Sequence, residues 1–86
     1  MNYDGRVPTV FRYRDFRFFF YSNEGTPREP THIHVEKDDR EAKFWLYPEV
    51  RVAYNNGYDP RTLRELLDVV EDNKARIERA WNDYFR

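Results

Sequence analysis

Residues 28–47, REPTHIHVEKDDREAKFWLY, constrain the fold more than any other stretch, because their side chains alternate in character. Successive side chains of a β-strand point to opposite faces, so a period of two sorts them into two sets. In a strand beginning at His32, Ile33 and Val35 fall on one face, and His32 and His34 on the other. After a polar turn at 37–40, Ala42, Phe44 and Leu46 alternate with Glu41, Lys43, Trp45 and Tyr47. Folded as a hairpin, this run has one oily face and one face of histidine, lysine and aromatic rings.

The flanking segments extend both faces. Residues 7–13, VPTVFRY, are rich in β-branched and aromatic side chains, and Pro8 restricts them to an edge or a strand start. Arg14 and Asp15 separate them from residues 16–21 as a tight hairpin would. Phe16, Phe18 and Phe20 then join the oily face, while Arg17, Phe19 and Tyr21 join the other. Residues 22–31, SNEGTPREPT, read as a surface loop lying beside His32. Val50, Val52 and Tyr54 alternate with Arg51 and Ala53 in a short fifth strand, which ends at Asn55-Asn56-Gly57.

Asp59-Pro60 is a helix start, a capping carboxylate followed by proline at the first helical position. Leu63, Leu66, Leu67, Val70, Ile77, Trp81, Tyr84 and Phe85 recur at helical spacing. The stripe lapses at Asn73 and Lys74, where the segment should bend or break into two helices. Packed on the oily face, it gives an α+β fold: a twisted antiparallel sheet of four to five strands under one long or two consecutive helices. Residues 1–6 read as a flexible leader and 7–86 as a single domain.

At 86 residues the chain has room for one core, and 19% aromatic residues must supply much of its apolar area. A net charge of −1 argues against a coat built for nucleic acid, although 36% of residues are charged. The absence of cysteine rules out disulfides and thiolate metal sites. No apolar run nears the roughly 20 residues of a membrane span, and the N-terminus has no apolar signal-like core. A cytoplasmic protein is expected.

The face opposite the helices should carry Arg17, Phe19, Tyr21, His32, His34, Lys43, Trp45 and Arg51, provided no bulge shifts the register. So many aromatics on a solvated face point to a binding surface or an oligomer contact. Four readings of His32 and His34 follow. They form a structural hydrogen-bonded pair; they ligate a metal, with Glu24, Glu29 or Glu41 as third ligand; they act as acid and base on a phosphodiester, with Arg17, Lys43 or Arg51 facing the developing charge; or they belong to a stacking surface for RNA. Asp38, Asp39 and Glu41 lack calcium-loop spacing, and no phosphate-binding loop or nucleophile elbow is present.

The segments PTVFRYRDFRFFFYSNEG, EPTHIHV, AKFWLYPEVRVAYNNGYDPRTLRELL and AWNDYF resemble the small bacterial proteins of domain-of-unknown-function family 4160. The likeness runs from Val7 to Phe85, with His32, Ile33, His34 and Val35 on the family's central motif and Trp81 on its terminal tryptophan. It implies an intracellular bacterial or phage protein, one half of a toxin–antitoxin-like pair, with a small protein partner and RNA as a further target. It implies no established activity.

The preferred expectation is an interaction protein whose open face, with Arg17, Phe19, Tyr21, Lys43, Trp45 and Arg51 around the histidines, binds a protein partner or RNA. It calls for no metal and no cofactor, and it requires His32 and Trp45 to lie clear of the helices. The alternatives are a metal-independent ribonuclease with His32 and His34 as the acid–base pair, and a homodimer through the aromatic face.

Overall fold

Five strands follow one another across a single antiparallel sheet in the order β1-β2-β3-β4-β5. They are β1 (Thr9–Tyr13), β2 (Phe16–Phe19), β3 (His32–Lys37), β4 (Arg40–Trp45) and β5 (Arg51–Asn56). The helices α1 (Pro60–Asp72) and α2 (Lys74–Phe85) pack on one face, giving an α+β fold. The structure is a computed structural model that describes residues 9–24 and 28–85. The expected leader over 1–6, and the start of the first expected strand at Val7 and Pro8, lie outside the described residues.

Local chemistry sets the turns. Tyr13 pairs with Phe16 and Lys37 with Arg40, so each hairpin closes over two residues. Arg14 and Asp38 adopt positive φ there, at 54° and 58°. Asp59 caps α1 by accepting a 2.7 Å hydrogen bond from the Thr62 N–H, which holds its carboxyl below the usual range. The helical segment breaks at Asn73, whose side-chain amide donates to the Val69 carbonyl at 2.8 Å and competes with the helical ladder.

The oily face is the core. Phe11, Phe18, Ile33, Val35, Ala42, Phe44 and Leu46 are buried against Leu66, Val69, Val70, Ile77 and Trp81. Tyr84 departs from the expected stripe and is exposed, and Val69, outside that stripe, is buried. A second correction concerns β5. The pairing passes from Lys43↔Tyr54 to Phe44↔Val52, so Ala53 is an extra residue in a bulge. Tyr54 thereby lies on the histidine face, and Val52, whose alternation with Arg51 puts it on the oily side, is 39% exposed instead of buried in the core.

Candidate functional site

Register builds the opposite face in rows. Thr9, Phe19, His34, Lys43 and Tyr54 lie abreast across all five strands, and His32, Trp45 and Arg51 form the next row. The expected open surface is closed at its centre: His32 is 0% and His34 3% exposed, and Phe19 is buried. The cause is the connection after β2. Residues Ser22–Glu24 make a single 3₁₀ turn in which the Glu24 N–H donates to the Tyr21 carbonyl at 3.1 Å. The Tyr21 N–H donates back to Glu24 Oε1 at 3.0 Å. This reciprocal pair fixes the Glu24 carboxylate, 8% exposed, over both imidazoles.

Glu24 Oε2 lies 2.6 Å from His34 Nε2 and 2.8 Å from His32 Nε2. The His34 contact is a hydrogen bond, whereas His32 Nε2 meets the carboxylate without one and has no other partner among the described residues. Burial alone would push the Glu24 carboxyl up, but the two imidazoles and the Tyr21 N–H outweigh it and hold it down at about 2.

The other ring nitrogens are held as firmly. His32 Nδ1 donates to the Pro30 carbonyl at 2.8 Å, which places a proton on that nitrogen because a carbonyl only accepts. His34 Nδ1 lies 3.1 Å from Glu41 Oε2. Tyr54 donates to that same oxygen at 2.6 Å, and Tyr21 to Oε1 at 3.0 Å. Burial, followed by these bonds to the Glu41 carboxylate, raises both phenols, Tyr21 to about 12. Glu29 Oε1 is 3.8 Å from His32 Nδ1 and 3.5 Å from Lys43 Nζ. All three carboxylates named from the sequence therefore lie at the histidine rings, and Glu24 alone faces both Nε2 atoms.

Aromatic side chains complete the packing. His34 stacks on Phe19 with centroids 5.4 Å apart, and Tyr21 meets it edge-on at 4.6 Å. His32 touches Trp45, and Trp81 reaches it from the helix layer at 4.8 Å. The requirement that His32 stay clear of the helices is thus not met, while Trp45 is only half-buried beside it.

The cations are not aimed at the histidines. Arg17 bonds Glu36 at 2.7 Å and covers Phe19, and Lys43 lies 4.2 Å over Trp45. Arg51 is exposed on β5. Sequence reasoning missed Tyr54 and the clamp that it and Tyr21 place on Glu41, since nothing in the residues marks a bulge at Ala53.

The model of a family described as "Domain of unknown function (DUF4160)" matches residues 15–82, well over half of the 86. The chain belongs to this family. Within the DUF4160 match lie both histidines, Glu24, Glu41 and Tyr54. Neither the curated proteins nor the solved structures yield a match to this DUF4160 chain. No helix among its described residues is long and apolar enough to cross a membrane.

Proposed function

We propose that this protein is a small interaction module that binds an extended segment of a partner protein along β5, as in a two-component toxin–antitoxin-like pair. The observation that carries this reading is the state of β5. It is an edge strand, five of its six residues are exposed, and Val52 and Tyr54 are 39% and 38% exposed. An edge presents unpaired N–H and C=O groups that a second chain can continue as a new strand. Trp45 and Arg51 of the adjoining row supply side-chain contacts beside it.

The ribonuclease reading has less support. Both histidines are enclosed, and their nitrogens face carboxylates rather than Arg17, Lys43 or Arg51, so a phosphate would meet negative charge.

The test is co-expression with the products of the adjoining genes, followed by hydrogen exchange on any purified complex. New protection confined to β5, with binding weakened at least tenfold by Val52→Asp, is the expected result. Protection elsewhere, retention of RNA instead of protein, or self-pairing of β5 in sedimentation would overturn it.

A further inference from the structure

Glu24, His32 and His34 bring three ligand-type atoms within 4.8 Å of one another, all of them buried. Their hydrogen bonding does not close with neutral rings. His32 must place its proton on Nδ1 for the Pro30 carbonyl, which turns the Nε2 lone pair toward Glu24 Oε2 at 2.8 Å. His34 has a carboxylate oxygen at each nitrogen, and the Tyr54 hydroxyl, 3.3 Å from Nδ1, spends its one proton on Glu41 at 2.6 Å, so either neutral tautomer sets one lone pair against an anion. Two extra protons, or one cation between the Nε2 atoms, would remove both conflicts.

We infer that Glu24 Oε2, His32 Nε2 and His34 Nε2 form a binding site for a divalent transition-metal ion, zinc being the reference case. Imidazole and carboxylate are the donors such ions take, and three protein ligands leave one position open. With an ion on both Nε2 atoms, each Nδ1–H keeps the acceptor it already has: the Pro30 carbonyl for His32, Glu41 for His34.

That outer arrangement is the one that orients and strengthens metal-bound imidazoles. The two tyrosine bonds on Glu41, and the Tyr21 N–H on Glu24 Oε1, fix the carboxylates as well. Bonds of about 2.0–2.2 Å to an ion would need the Glu24–imidazole gaps to widen to about 3.3 Å.

The test uses the full chain, purified without affinity resin, treated with a chelator and titrated with zinc chloride by calorimetry. Side-chain nitrogen NMR of the same wild-type sample follows the two histidines. One equivalent should bind, moving both Nε2 resonances to metal-bound positions while both Nδ1 atoms stay protonated. Glu24→Gln should weaken binding at least tenfold. Glu41→Gln should weaken it about 10–100-fold, as loss of a partner behind a metal-bound histidine does. Glu29→Gln should leave it unchanged, because His32 Nδ1 already donates to the Pro30 carbonyl at 2.8 Å and Glu29 stands 3.8 Å off. No binding, binding that leaves the Nε2 resonances in place, or binding indifferent to Glu24→Gln would overturn the proposal.

Discussion

The two faces of the sheet are buried by different means. On the helix side, Phe18, Ile33, Phe44 and Leu46 are fully enclosed by α1 and α2, and the contacts are apolar. On the other side, one 3₁₀ turn lowers a single carboxylate onto two imidazoles, and the burial is organised around charge. The apolar face is held by non-directional area and tolerates small shifts in its neighbours. The polar face depends on hydrogen-bond geometry, and it gains specificity and ligand chemistry in return.

Substitutions should separate the two. Phe44→Ala, in the middle of the helix-covered face, should cost about 3–5 kcal/mol of stability, as large-to-small core changes do, and should move the urea midpoint accordingly. A loss below about 1 kcal/mol would mean that the helices do not seal that face. Glu24→Gln in metal-free protein should cost about 1–3 kcal/mol by the same measurement, the range for leaving buried polar groups unpartnered. A neutral result would show that the second face is closed by its aromatic contacts and not by the carboxylate.

Acid should distinguish the faces further. The Glu24 carboxyl titrates at about 2 in the folded chain against 4.5 for the ordinary group. Its contribution is therefore fully present above pH 4.5 and is lost as the pH falls through that interval to about 2. Unfolding midpoints measured from pH 5 to 2 should fall more steeply in the parent protein than in Glu24→Gln. The smallest effect belongs to Tyr54→Phe, which removes the 2.6 Å bond to Glu41 from a partly solvated site. It should cost about 0.5–1 kcal/mol, and a larger loss in the urea midpoint would mean that the tyrosine clamp carries the fold as well as the site.

How much of this could be read from residues alone follows the same division. Alternation placed Ile33, Val35, Phe44 and Leu46 in the core, and Asp59-Pro60 marked the helix start, because both signals are local. The break at Asn73 showed as a lapse in the apolar stripe. The closure of the histidine face was not legible, since it depends on where a ten-residue loop lands rather than on its composition. Glu24 was nameable as a third ligand beside Glu29 and Glu41, but only the turn at Ser22–Glu24 singles it out. Tyr54 was not placed on the histidine face because the bulge at Ala53 inverts the alternation after it.

The most direct measurement of the central claim is a crystal structure of the zinc-treated protein with anomalous data collected at the zinc absorption edge. The expected result is one peak about 2.0–2.2 Å from Glu24 Oε2, His32 Nε2 and His34 Nε2, with Glu41 still bonded to His34 Nδ1. A map with no peak there, and the carboxylate still in direct contact with both imidazoles, would contradict it.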